Sequence, residues 1–197
     1  MLMRDKDVRR QTLIRTAMQL ASVNGLDGVT IGRLAAASHL SKSAVQSMVG
    51  NKEDLQLLII TAASAVYTDC VFSAAQEHPD GLPRLRAGMR AWIDDYLPHF
   101  DGGCIFLAAA SEQDGHPGPV RDSIAEAVER GEQWLRREAR LAVRLHELPA
   151  ETDVDQLVFE LHAIVMQTNH DLQLFQRGDT RTRAHTAISR LLGPETS

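Results

Sequence analysis

No proline stands before position 79, and the seven in the chain fall at Pro79, Pro83, Pro98, Pro117, Pro119, Pro149 and Pro194. Proline inside a helix removes a hydrogen bond and collides with the preceding turn. The first 78 residues therefore carry no such breaker, and the rest is cut into segments at these points. Between the prolines, apolar residues recur at spacings of three and four. Alternating β-branched and aromatic runs are scarce, and no Asn-Gly turn separates two of them. The pattern predicts an all-α chain of about nine helices, without internal repeats.

The first helix is expected over about residues 7–24, with Leu13, Ile14, Ala17, Met18, Leu20 and Ala21 on one face and Gly25 as its left-handed stop. Thr30 then suits the N-cap of a short helix carrying Ile31, Leu34 and Ala35. After a break at Ser38-His39-Leu40, Ser41 suits the cap of a second short helix from Lys42 to Met48. Two short helices joined by a tight turn form a helix-turn-helix candidate. Asn51 suits the cap of a long fourth helix to about Gln76, with Glu53 and Asp54 in its first turn, where the helix dipole favours acids. Further helices are expected to about Leu97, over 104–111, 120–145, 153–176 and 180–192, the last ending at Gly193-Pro194.

Charge separates the two parts. Residues 1–55 hold eight Lys or Arg against five Asp or Glu, a net +3, which leaves −8 on residues 56–197. A basic N-terminal segment on an acidic body suits a chain whose first part alone meets a polyanion. Cys70 and Cys104 have no metal-type spacing and form no disulfide framework, and the N-terminal residues lack an apolar signal-type run. The expectation is a cytoplasmic protein without a membrane partner, metal or cofactor.

A recognition helix buries one side on its own domain and offers the other to the major groove. In the second short helix Leu40, Ala44, Val45 and Met48 are expected to pack inward, leaving Lys42, Ser43, Gln46 and Ser47 on the opposite side. Gln pairs with adenine, Ser with base edges or phosphates, and Lys with phosphate or guanine. Thr30, Lys52 and the basic cluster Arg4, Lys6, Arg9 and Arg10 add phosphate-binding capacity nearby. An ordinary solvated helix face has the same polarity, so these neighbours carry the weight of the reading.

These residues carry a resemblance. Arg9-Arg10-Gln-Thr-Leu-Ile-Arg-Thr-Ala-Met, Asn24-Gly25-Leu-Asp-Gly-Val-Thr30-Ile31, Arg33-Leu34-Ala35, Leu40-Ser41-Lys42-Ser43 and Asn51-Lys52-Glu53-Asp54-Leu55 follow one another in the order and spacing of the TetR/AcrR family of transcriptional regulators. The resemblance covers about residues 8–60. It implies a three-helix DNA-binding head over 1–52 and a larger ligand-binding and dimerisation domain over 53–197. It also implies phosphate contacts from Thr30, Lys42 and Lys52, and base or backbone contacts from Ser43, Gln46 and Ser47. The chain departs from the family pattern at His39, where a turn glycine is usual, at Gln46, where a tyrosine is common, and at Val49, where an aromatic is usual.

Gly102-Gly103-Cys104-Ile105-Phe106 and Pro117-Gly118-Pro119-Val120-Arg121 resemble one TetR-type ligand-domain subgroup. The resemblance implies a small-molecule effector among the central helices and a homodimer through the last two. The stripe Val154, Leu157, Val158, Leu161, Ile164 and Val165, and the stripe Ala184, Ile188, Leu191 and Leu192, are wide enough to pair with a second copy or to close the subunit's own core. Trp92, Tyr96, Phe100, Phe106, Trp134, His162 and Met166 are the candidate effector-lining residues, mixing apolar surface with hydrogen-bonding tips. Each also suits core packing.

The function expected is a sequence-specific DNA-binding regulator, a repressor released from its operator by ligand, and not an enzyme. Two other readings are a TetR-like sensing or protein-interaction module without specific DNA readout, and a helical enzyme using Cys104 or a histidine such as His99 or His162.

Overall fold

The computed structural model describes residues 2–194, with side chains from Asp7 onward; Arg4 and Lys6 of the expected basic cluster lie outside the described side chains. The described residues contain helices and no strand. The helices are α1 (Leu2–Asn24), α2 (Ile31–Ala37), α3 (Lys42–Val49), α4 (Lys52–Tyr67), α5 (Leu82–Ala91), α6 (Ile105–Gln113), α7 (Pro119–Arg144), α8 (Val154–His170) and α9 (Thr180–Leu192). α4 runs on through a π-helical turn, Thr68–Ser73, to Ala74–Gln76. α5 runs on through a second such turn, Trp92–Tyr96, and α8 through a third, Asp171–Phe175. Single π turns inside helices recur at functional sites.

The chain divides into two compact units, one formed by residues up to Ala65 with Phe100–Ala127, the other by Val66–His99 with the chain from Val128 onward. The first unit runs past residue 52 into α4. Leu55, Ile59 and Ile60 of α4 are buried, as are Leu13, Ala17, Leu34 and Val45 of α1 to α3, and α6 packs on α1 in the same unit.

Local signals place the head helices. Thr30 accepts the Arg33 N–H at 3.1 Å and Ser41 the Ala44 N–H at 3.2 Å, so both cap as the sequence predicts. Asn51 and Asp54 form a reciprocal cap on α4: Asp54 N donates to Asn51 Oδ1 at 3.0 Å and Asn51 N to Asp54 Oδ2 at 2.9 Å. Gly25 takes φ 75° after α1.

By length and composition the helix Lys52–Gln76 is apolar enough to cross a membrane. Along it Leu55, Ile59, Ile60, Ala63, Val71 and Ala75 are buried.

In the second unit the N-terminus of α5 is capped from α7 and the residues after it. Glu138, fully buried, accepts the Gly81 N–H at 3.1 Å, and Glu147 accepts that of Leu82 at 2.7 Å. Acceptors at a helix N-terminus satisfy donors that lack an intrahelical partner. Arg86 of α5 donates in turn to the carbonyls of Leu192 and Gly193 at 2.6 and 2.7 Å, closing the end of α9.

Of the two readings of the apolar stripes, closing the subunit's own core fits most of their residues, with Val154, Ile164 and Leu191 half-buried. Leu157, Val158, Leu161 and Val165 of α8, and Ala184, Ile188 and Leu192 of α9, are buried within the subunit. A different face of α8 is left open: Phe159 is 69% exposed and Met166 52% exposed, with Ala163, His170 and Leu174 also exposed. Helical periodicity shows that a face is apolar but not which of two apolar faces meets the subunit's own core.

Candidate nucleic-acid interface and effector site

α3 carries the groove-reading candidates. Val45 and Val49 are buried, Ala44 and Met48 half-buried, and Lys42, Ser43, Gln46 and Ser47 exposed. The polar face is therefore the one read from sequence. On the other side there is a correction, since Leu40 is 39% exposed and Val49 fills the inner position instead. Leu40 ends the turn from α2, where its N–H bonds the Ala35 carbonyl at 3.0 Å, so its position follows the turn and not the helix period.

That turn explains His39. Its N–H reaches the Ala36 carbonyl at 3.3 Å while Leu40 N reaches Ala35, and His39 holds φ 55°. This is a Schellman stop with histidine in the left-handed position usually given to glycine. Histidine is among the side chains that tolerate this region.

The polar candidates differ in how free they are. Ser47 Oγ donates to the Ala44 carbonyl at 2.8 Å, and Ser43 Oγ lies 3.1 Å from Ser41 Oγ. Lys42 passes over Gly32 in the first turn of α2, beside Thr30. Arg10 donates its Nε to the Met48 carbonyl at 3.1 Å, so part of the expected basic cluster holds the end of α3.

Lys52 pairs with Asp27 at 3.0 Å. The same Asp27 oxygen accepts Gln56 Nε2 at 3.1 Å, its other oxygen accepts Gln113 Nε2 at 3.1 Å, and its backbone N–H donates to Glu112 Oε2 at 3.1 Å. The carboxyl is held below its ordinary range, first by the Lys52 donor, against an opposing effect of burial, with Gln56, the Lys52 charge and Gln113 adding to the lowering. A second link joins the same parts of the chain: Gly102 N donates to Ser22 Oγ at 3.2 Å and Asp101 N to Gln19 Oε1 at 3.2 Å. Sequence reading missed Asp27, Gln56, Glu112 and Gln113 because no local spacing connects them.

In the second unit the two π turns at Thr68–Ser73 and Trp92–Tyr96 contact one another and gather an aromatic cluster. The Tyr67 ring stands edge-on to Phe72, Trp92 and Tyr96 at 5.2, 5.1 and 5.0 Å, a favoured aromatic arrangement. Phe72 lies 5.2 Å from Trp134, and Trp92 lies 5.6 Å from the His162 ring. His162 Nδ1 is 3.0 Å from Glu132 Oε1, and Trp134 lies against the backbone of Gly88, which only a residue without Cβ permits. Trp92 is 6% exposed, and its indole N–H has no hydrogen-bond partner among the described residues.

Of the effector candidates, then, Trp92, Tyr96, Trp134 and His162 come together, joined by Tyr67 and Phe72, which the sequence did not single out. Phe100 and Phe106 are buried in the first unit, and Met166 lies on the open face of α8. Cys104 is buried in the first unit, while His99 Nδ1 lies 4.0 Å from Cys70, whose thiol burial pushes up, aided by Asp95 and Asp69. Among the described residues no group of three or more His, Cys, Asp or Glu is placed to hold a metal.

Many solved structures share the fold, three of them as follows. A TetR transcriptional regulator from Chloroflexus aurantiacus J-10-FL superposes with a TM-score of 0.86, at 19% identity over 97% of this chain and 98% of that one. A TetR-family transcriptional regulator from Cytophaga hutchinsonii gives 0.83 at 20% identity, over 98% of each chain. AibR, solved in complex with isovaleryl coenzyme A and operator DNA, gives 0.78 at 20% identity, over 95% of this chain and all of that one. No curated protein matches in sequence. The family model for the tetracyclin repressor-like C-terminal domain matches residues 81–188, more than half of the 197. With that domain behind a capped helix-turn-helix, the chain belongs to the TetR family of transcriptional regulators.

Proposed function

We propose that this TetR-family regulator is a repressor that binds its operator as a homodimer and is released by a small-molecule effector. In this reading residues 1–52 are the DNA-binding domain and 53–197 the ligand-binding and dimerisation domain, and the protein acts in the cytoplasm, by binding and not by catalysis. The division of α3 carries it: Val45 and Val49 are buried while Lys42, Ser43, Gln46 and Ser47 stand exposed on the opposite face. Gln46 and Ser43 read base edges, and Lys42, Thr30, Ser47 and Lys52 hold the backbone.

The open face of α8 is the dimer seam. Phe159, Ala163, Met166 and His170 recur at helical spacing on a surface that one subunit leaves to water. A dimer brings two heads to one operator, whose half-sites in helix-turn-helix systems lie one turn apart, about 34–36 Å.

For the effector we assign Trp92, Tyr96, Trp134 and His162, with Tyr67 and Phe72. A cluster of packed aromatic rings, an indole N–H in want of an acceptor and a His–Glu pair suit a molecule with flat apolar surface and a polar end that parts the rings. Phe100 and Phe106 are assigned to the core and Met166 to the dimer seam. AibR was solved with both an acyl-coenzyme A and operator DNA, which supports the pairing of two ligands on this fold. Release follows if the effector binds better to an arrangement in which the heads miss the half-site spacing.

The test is selection of bound duplexes from a random DNA pool at two salt concentrations, repeated with Lys42→Ala combined with Gln46→Ala. A palindromic motif that the double variant loses supports the reading. If nothing is enriched and weak binding vanishes with salt, only phosphate attraction was present, and the interaction-module reading replaces it.

A further inference from the structure

Exposed ion pairs contribute little, because water solvates both charges and pairing restricts two long side chains. The Asp27–Lys52 pair differs in what stands behind the carboxylate. Gln56 is 6% exposed and Gln113 8%, and each donates its amide to a different Asp27 oxygen. A buried amide is costly unless hydrogen-bonded, so both glutamines hold the carboxylate in one place. Glu112 holds the Asp27 backbone N–H as well. Lys52 therefore donates one of its three N–H bonds to an anchored acceptor and keeps the others for an outside partner.

Two of these anchors, Glu112 and Gln113, sit on α6, 85 and 86 residues along the chain from Asp27. The loop they hold leads directly to Thr30, the cap of α2. One carboxylate thus orients both the ammonium of Lys52 and the approach to the first turn of α2.

We infer that Asp27 is the positioning residue for Lys52 as a DNA-phosphate contact, and that α6 controls it through Gln113. This rests on the DNA-binding reading above. An anchored lysine has less rotamer freedom to give up when a phosphate arrives. Breaking the Gln113–Asp27 bond leaves the carboxylate held by Gln56 alone, loosens the ammonium with it, and weakens phosphate binding without touching Gln46.

The experiment is a double-mutant cycle on the full chain, Gln113→Ala against Lys52→Ala, with a duplex recovered from the random-pool selection and affinity measured over a salt series. Gln113→Ala leaves net charge unchanged, so a general field effect is absent. It is expected to weaken binding about three- to tenfold and to flatten the salt slope by up to about 0.9 for each phosphate that is no longer neutralised. Lys52→Ala is expected to do the same, and Gln113→Ala to cost clearly less in the Lys52→Ala background than in wild type. No effect of Gln113→Ala, or an equal effect in both backgrounds, overturns the inference. Hydrogen exchange of the amides at 26–30 in the free protein gives a second readout. Faster exchange in Gln113→Ala is expected, and unchanged exchange overturns the anchor. A wild type that binds no duplex while its loop responds to Gln113→Ala instead overturns the DNA-binding reading, and with it the role given to Lys52.

Discussion

Glu112 reaches from α6 to accept the backbone N–H of Asp27 at 3.1 Å, and its carboxylate lies over Gly25 where a Cβ would stand. Gly25 also has φ 75°, a region that side chains enter at a cost. Just ahead of α6, Gly102 is confined differently: a Cβ there would overlap the backbone carbonyl of Ser22. A flexible carboxylate can swing aside, and a helix backbone cannot.

Gly25→Ala is accordingly expected to cost about 1–2 kcal/mol, mostly backbone strain. Gly102→Ala is expected to exceed it, at the upper end of the range of about 1–3 kcal/mol for overpacked sites or beyond. Urea denaturation of the two variants checks the order, and a larger loss for Gly25→Ala would show that the backbone at Ser22 yields.

His39→Gly is expected to stabilise the chain by up to about 1 kcal/mol, because glycine takes the left-handed stop of α2 without a Cβ penalty. Thermal unfolding is the measurement. A lower midpoint in the variant would mean that the imidazole supplies a contact worth more than its strain.

Asp27 makes stability depend on acid. Its carboxyl is held below the ordinary range, first by the Lys52 donor, so the folded chain takes up this proton less readily than the unfolded one. The stabilisation is complete above the unfolded pKa, about 3.9, and is lost as pH falls through the lower folded value. Asp27→Asn should flatten the acid limb of stability below about pH 4 and leave the neutral region without a new slope. Denaturation midpoints over a pH series decide it; an acid limb identical to wild type would show that the pair contributes nothing.

Phe159→Glu with Met166→Glu should give a monomer, since both side chains are exposed in the single subunit and two carboxylates on facing copies repel. Sedimentation velocity reads the assembly state, and circular dichroism checks that the helices persist. A dimer that survives both changes places the seam elsewhere.

Much of the head was legible in the sequence because its determinants are local. Thr30, Ser41 and Asn51 each bond an amide three residues away, Gly25 and His39 act on their own backbone angles, and the helical period separates Val45 from Lys42 and Gln46 without reference to the rest of the chain. What only the tertiary structure decided are relations between distant residues. Asp27 meets Gln113, and Tyr67 meets Tyr96, because particular helices adjoin. The π turns that present Phe72 and Trp92 have no sequence period of their own. Leu157 and Phe159 are both apolar and two residues apart on α8, yet one is buried and the other faces water. Periodicity ranks the faces of a single helix, but burial depends on which neighbour covers them.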